Sequence, residues 1–262
     1  MIEHHETNRL HWNQRAIAHY KHPEYMVEEF IKGRSSLHDL EEKEVGDVNG
    51  KTLLHLQCHF GLDTLSWARK GATVTGIDIS DDSIELANKL KSQIGIDSAR
   101  FIRSNLYDLT NHLDEQLDIV FTSYGALWWM SDIKKWAQIA ARYVKPGGFF
   151  YISEGHPFFS MFDEHQKIFE PYFNQGAEVY ENEADYCDEE LVIEKEIGWR
   201  WPIGEIVTAL AQAGLRIEFL HEQPVCSYNQ WPTMVEIGDT HWWKYKDSKF
   251  ELPMNFSLKA SK

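Results

Sequence analysis

From Lys51 to Glu154 the chain alternates short apolar runs with stretches of helical period, and few architectures accommodate that order. Lys51 to Gln57 (KTLLHLQ), Thr73 to Asp78 (TVTGID), Ala99 to Arg103, Leu117 to Thr122 (LDIVFT) and Phe149 to Glu154 (FFYISE) read as strands. Their near-continuous apolar character fits burial on both faces. Helices read between them. Leu62 to Lys70 stops at Gly71, where a left-handed cap costs little. Ser80 precedes a helix whose hydroxyl cap and following Asp81 and Asp82 suit the positive end of the dipole. Ile84, Leu86, Ala87 and Leu90 give that helix its apolar face, and Gly95 ends it. Asp132 to Val144 is a further helix, closed by Pro146-Gly147-Gly148. Repeated strand–helix–strand units of this kind make right-handed crossovers and a parallel sheet covered on both sides.

After Glu154 the pattern loosens. Ile203 to Ala213 reads as a helix ended by Gly214, and Leu215 to His221 and Phe250 to Leu258 read as two more strands. Pro253 inside the last run predicts an edge strand or a bulge. Residues 1–50 look helical, with Leu10, Trp12, Ile17 and Tyr20 as packing residues. Residues 157–200 are too long for a plain connector and read as a lid over the carboxyl ends of the strands. The fold class is therefore α/β: a doubly wound, mostly parallel sheet with a terminal antiparallel strand. A helical N-terminal cover (1–50) precedes a main domain (51–262) with an inserted lid at about 157–200.

Charge narrows the partners. The net charge of −15, with no basic stripe, disfavours nucleic acid. Between Glu178 and Glu196 nine acids face one lysine; this reads as solvated surface, with an acidic funnel for a cationic acceptor as the sharper alternative. No apolar run is long enough for a membrane span. The first residues have neither a basic nor an apolar leader, and Cys58, Cys187 and Cys226 are too few and too scattered for a disulfide framework. These features predict a cytoplasmic protein.

In an open parallel sheet ligands bind beyond the carboxyl ends of the strands. The loop after the first strand is Gln57-Cys58-His59-Phe60-Gly61-Leu62-Asp63, in which only Gly61 remains of a glycine-rich turn. The three glycines that let a backbone approach a pyrophosphate are absent. Gln, His and Phe side chains suit a ligand without one, and S-adenosylmethionine is such a ligand. Asp78, ending the second strand, can take two ribose hydroxyls on its two oxygens, or can serve only as a helix N-terminal acid. Asn105, after the third strand, suits an adenine edge or a turn.

The run LLHLQCHFGLDTLSWARKGATVTGIDIS resembles the cofactor-binding half of class I S-adenosylmethionine-dependent methyltransferases, in a subgroup where LHLQCHFG replaces the glycine-rich loop. FIRSNLYDL, the segment from Asp118 to Pro157, GEIVTALAQAGLRIEFLHE and MNFSLKA are similar to later parts of the same family. The resemblance implies that Gln57, His59 and Gly61 line the methionine part and that Asp78 binds the ribose. Ile79 then lies against the adenine, Asn105 and Leu106 border the base, and Ser123 and Tyr124 face the sulfonium. Two positions depart from the family: His55 stands where an acid usually orders the loop and the ammonium, and Asn105 replaces a common Asp.

On the acceptor side Trp128 is expected in the substrate pocket, with Tyr124 and His156 as the catalytic candidates. His156 lies between Gly155 and Pro157 just past the fifth strand, where a neutral imidazole can act as a general base or can serve only to hydrogen-bond the lid. His55 and His59 straddle a strand end and no metal-binding spacing occurs, so no metal is expected. The implied reaction is methyl transfer to a small molecule. Its rivals are a nicotinamide-dependent oxidoreductase and a non-catalytic S-adenosylmethionine-binding regulator.

Overall fold

A computed structural model describes residues 2–185, 191–238, 240–248 and 250–262. Cys187 lies outside the described residues. Helices α1 (Ile2–Lys21), α2 (Val27–Ile31) and α3 (Asp39–Val45) precede the sheet. Then β1 (Thr52–Leu56), α4 (Leu62–Arg69), β2 (Thr73–Asp78), α5 (Asp81–Ile94) and β3 (Ala99–Arg103) follow, then β4 (Leu117–Ser123), α6 (Ile133–Tyr143) and β5 (Val144–Gly155). Ser80 caps α5 by accepting from the Ser83 N–H, and Gly95 ends it in the left-handed region, as the sequence predicts. Asp132 stands just outside α6, its carboxylate accepting the N–H groups of Lys134 and Lys135.

The second half contains β6 (Glu178–Ala184), β7 (Val192–Gly198), α7 (Ile203–Gln212), β8 (Arg216–Gln223), β9 (Met234–Glu236), β10 (Trp243–Tyr245) and β11 (Asn255–Ser261). The main sheet has the order β3-β2-β1-β4-β5-β11-β8, and β6–β7 and β9–β10 are separate antiparallel pairs. The strands from β3 to β5 run parallel, and β11 is antiparallel to both its neighbours. Pro253 does not make β11 an edge strand. The strand begins two residues later, so the missing N–H falls outside the ladder and β11 sits between β5 and β8.

Successive strand residues feed opposite layers, the period-2 geometry of a strand buried twice. Leu54, Val120, Phe150 and Ile152 pack under Trp136 of α6 and Leu210 of α7. Leu53, Ile119, Phe121 and Tyr151 pack on the other face, under Trp67 of α4 and Leu90 of α5. The sheet is thus held from both sides, and the chain reverses its winding direction between β1 and β4. Loops 57–61 and 124–130 leave the sheet side by side at that point.

Helix α1 lies across α5 and β7, and it inverts the expected packing. Leu10 and Ile17 are exposed, at 51% and 44%. The buried stripe is polar instead: Asn8, His11, Arg15 and His19, at helical spacing. Asn8 exchanges two hydrogen bonds with the Ile197 backbone of β7, at 2.8 and 3.0 Å. Arg15 Nε is 2.8 Å from Asp185, and Asp185 also meets His19 Nε2 at 3.1 Å. The helix therefore seats by satisfying polar groups of the β6–β7 hairpin. Trp12 and Tyr20 are half-buried, and Asn13 reaches across to the cap of α5, where its Oδ1 accepts from Ser80 Oγ.

Candidate active site

A cavity of about 1200 Å³ opens at the carboxyl ends of β1, β2 and β4, roofed by α1. Gln57, His59, Gly61, Asp78, Ile79, Asn105, Leu106, Ser123, Tyr124 and Trp128 all line it. His156 does not.

The loop after β1 keeps a glycine-like backbone without the glycines. Gln57 and His59 hold φ values of 58° and 51°, which cost a residue with a Cβ about 1–2 kcal/mol each. What they gain is side chains in the cavity wall. Gln57 donates from Nε2 to the Ala126 carbonyl at 2.7 Å, tying loop 57–61 to loop 124–130, while its Oε1 is buried without a partner among the described residues. His59 rests between Ser83 Oγ at 3.2 Å and His19 Nδ1 at 3.2 Å, and burial lowers its basicity. Gly61 has φ 83°, and a Cβ there would stand 2.7 Å from the Phe101 ring.

Two buried carboxylates, Asp78 and Glu154, and the half-buried Asp63 surround these loops. Asp78 accepts the His59 N–H on Oδ2 at 2.8 Å and the Ser80 N–H on Oδ1 at 2.9 Å. Burial pushes its pKa up to about 6, against those hydrogen bonds. Asp63, in the first turn of α4, lines the same cavity and accepts from Ser36 Oγ at 2.6 Å and Ser123 Oγ at 2.8 Å. Glu154, ending β5, takes four backbone N–H groups: Gly125 and Gly155 on Oε1, Ala126 and Leu127 on Oε2, at 2.6–3.1 Å. It clamps the loop that carries Tyr124 and does not line the cavity. Asp63 and Glu154 were not singled out from sequence. An acid at a helix start or a strand end has an ordinary reading there, and only the fold reveals what it holds.

Other predicted residues divide. Asn105 spends its side chain within the protein: Oδ1 accepts the Tyr107 N–H at 3.0 Å, and Nδ2 meets His5 Nδ1 at 2.8 Å. Tyr124 has φ 34° and its hydroxyl is buried without a partner among the described residues. The Trp128 indole is pinned on Gly198, with the Arg200 guanidinium 5.2 Å from the ring centre. His156 turns away from the cavity towards β8. Its Nε2 is 3.0 Å from Glu222 and its Nδ1 accepts the Phe158 N–H at 3.1 Å, so the expectation of a base aimed at the cleft is corrected.

The lid expectation is also corrected. Of the described residues between 157 and 200, only Glu196 lines the cavity. The inward side of the β6–β7 hairpin is taken up by α1. The wall opposite the β1 loop comes from a segment not singled out from sequence, through Tyr228, Trp231, Glu236, His241, Trp242 and Trp243. Three tryptophans in a stretch without periodicity were its signal.

A methyltransferase domain model matches residues 54–152. The chain is 29% identical over 123 residues to a ubiquinone biosynthesis O-methyltransferase of Paracidovorax citrulli, covering 45% of this chain and 51% of that one. It is 32% identical over 110 residues to the Klebsiella pneumoniae enzyme of the same name, covering 41% and 44%. The chain thus matches about half the length of these curated relatives. Among solved structures, an S-adenosylmethionine dependent methyltransferase from Mesorhizobium loti superposes with a TM-score of 0.60 at 19% identity, covering 88% of this chain and 100% of that one. Geranyl diphosphate C-methyltransferase from Streptomyces coelicolor A3(2) gives 0.55 at 13% identity, covering 85% and 76%. At these identities the likeness is one of fold.

Proposed function

Residues 54–152 are a domain of the class I S-adenosylmethionine-dependent methyltransferase family, and from that premise we propose that the protein methylates a small molecule. Asp78 carries the reading. It is a carboxylate in the cavity wall, at the end of β2, with one backbone N–H on each oxygen. A carboxylate oxygen has two acceptor sites, so each retains one for a hydroxyl of a ribose. Ile79 and Leu106 offer apolar surface to the base beside it, and Gln57, His59 and Gly61 border the methionine part. S-adenosylmethionine, when bound, supplies a methyl group on a cationic sulfur, which an acceptor nucleophile displaces in line.

The chain's own contribution is positioning in a water-poor site. Tyr124, with its unpartnered hydroxyl, borders the place where the acceptor meets the methyl and orients it. Aromatic side chains from residues 228–243 and Trp128 form the acceptor wall. That wall is not built for anions. Glu24, Asp39, Glu196 and Glu236 line the cavity against Arg15 and Arg34, and Arg15 is already in contact with Asp185 and Glu196. A neutral or cationic acceptor is favoured, and a diphosphate such as that named for the Streptomyces coelicolor neighbour is not. Among the described residues no helix is long and apolar enough to cross a membrane. Action on a soluble acceptor in the cytoplasm, without nucleic acid, completes the reading; the buried free thiols Cys58 and Cys226 accord with it.

Calorimetry with S-adenosylmethionine, S-adenosylhomocysteine and NAD tests the cofactor, with binding of the first two and not the third expected. Binding of NAD alone would overturn the reading. Release of S-adenosylhomocysteine with a panel of neutral and cationic nucleophiles tests turnover. Tyr124→Phe should lower that turnover about tenfold or more while leaving cofactor affinity in place, if its hydroxyl orients the acceptor.

A further inference from the structure

Asp63 is a carboxylate without a counter-ion. It is half-buried in the cavity wall, and among the described residues no Lys, Arg or His nitrogen lies within 4.0 Å of it. Its two hydrogen bonds come from uncharged hydroxyls, one per oxygen: Ser36 Oγ on Oδ1 and Ser123 Oγ on Oδ2. Each oxygen therefore keeps an open acceptor site. A carboxylate partly withdrawn from water is seldom left so, because its desolvation is poorly repaid by two neutral hydrogen bonds. Burial accordingly raises its pKa.

The neighbouring groups do not supply the missing charge. His55, on β1, has Nδ1 at 2.8 Å from Thr64 Oγ1 and Nε2 at 3.3 Å from the same Ser123 Oγ that serves Asp63. Burial holds its pKa down to about 3, so it is a neutral ring that orients the hydroxyl. The three elements that meet here are the end of β4 through Ser123, the start of α4 through Asp63, and the segment before α3 through Ser36. Together they hold a carboxylate at the same cavity end as loop 57–61.

Resting on the cofactor reading above, we propose that Asp63 receives the ammonium group of the cofactor's methionine part, with Ser36 and Ser123 as positioning residues for its carboxylate. Asp78 then fixes the nucleoside end through the diol and Asp63 fixes the amino-acid end through charge. The negative charge that His55 does not provide reaches the site from the first turn of α4 instead.

The test uses ligands that differ at that end. S-adenosylhomocysteine carries the ammonium, and 5′-methylthioadenosine keeps the adenosine and sulfur but lacks the amino-acid part. Calorimetry on Asp63→Asn should show S-adenosylhomocysteine weakened about ten- to hundredfold, the range of a charge-assisted hydrogen bond, with 5′-methylthioadenosine unchanged. Equal weakening of both ligands would mean that Asp63 only shapes the pocket, and no weakening of either would remove it from the site; both overturn the proposal. If Asp63→Asn does not fold, Ser123→Ala and Ser36→Ala are read the same way: selective loss of S-adenosylhomocysteine supports the assignment, and unselective or absent loss rejects it. Wild-type protein that binds neither ligand would instead refute the cofactor reading itself.

Discussion

Two carboxylates at the ends of strands of the same sheet have opposite characters. Glu154, at the end of β5, has both acceptor sites of each oxygen filled by backbone N–H groups and does not line the cavity. Asp78, at the end of β2, has one N–H on each oxygen and stands in the cavity wall. Sequence treats them alike, as acids closing a run of apolar residues. The difference lies in how many donors the following loop turns back towards them. A saturated carboxylate is a fastener, and a half-saturated one facing a cavity is prepared for a ligand. By the same count Asp63 belongs with Asp78.

The contrast breaks first at Glu154. Glu154→Ala leaves four N–H groups at the base of loop 124–127 without their acceptor. Unsatisfied buried donors cost about 1–3 kcal/mol apiece, part of which is recovered from the desolvation of a buried acid, so a net loss of about 4 kcal/mol is expected. Urea unfolding measures it; a loss under about 1 kcal/mol would show that the loop holds itself. Asp78→Ala should do the reverse. Cofactor affinity is expected to fall about ten- to hundredfold, with 1.5–3 kcal/mol lost from binding. The fold should lose less than with Glu154→Ala, since only the N–H groups of His59 and Ser80 lose their acceptor while the desolvation of a buried acid is relieved. Its folded pKa of about 6 lies above the ordinary 3.8, so the protonated form favours folding at low pH and that favour is lost as pH rises through 6. Above pH 7 the ionised carboxyl then costs the empty fold about 3 kcal/mol. Asp78→Asn should therefore melt no lower than wild type at pH 8. Wild-type cofactor affinity should strengthen from pH 5 to 7 as the diol acceptor ionises, and a flat profile would exclude Asp78 from binding.

What the sequence made legible follows the same division. The caps of α5, the parallel order of β1 to β5 and the place of Asp78 are written locally, in apolar periodicity and in single residues such as Ser80 and Gly95. Gln57 and His59 were legible as side chains in the loop, although not as residues forced to φ 58° and 51°. What escaped depends on distant partners. The stripe Asn8, His11, Arg15 and His19 has clear helical spacing, yet its burial needs Asp185 and the Ile197 backbone, more than 160 residues away. A search for apolar faces chose Leu10 and Ile17 instead. The cavity wall around Trp231, Trp242 and Trp243 has neither period, because it packs as loops and two short strands rather than against the sheet.

His156 provides the smallest expected effect and the clearest separation of position from chemistry. It follows a strand end, between a glycine and a proline, a place that suits a catalytic base by sequence. In the fold its backbone N–H donates to the Met254 carbonyl, which docks the residue beside β11. Burial lowers the pKa of the ring, against the pull of Glu222, so near pH 7 the imidazole is neutral. A neutral imidazole has one N–H and one lone pair. The lone pair of Nδ1 accepts the Phe158 N–H, which leaves the proton on Nε2, facing Glu222. No lone pair remains to take a proton from an acceptor. His156→Gln should therefore leave turnover within about fivefold of wild type, far from the 10²–10⁴ that a general base supplies, with the pH–rate profile unmoved. The cost should appear in stability, at about 1 kcal/mol for a hydrogen bond weakened between β5 and the turn at Phe159–Met161. A hundredfold fall in turnover at unchanged melting temperature would return His156 to the chemistry, and would require the ring to leave Phe158 and Glu222 when the acceptor binds.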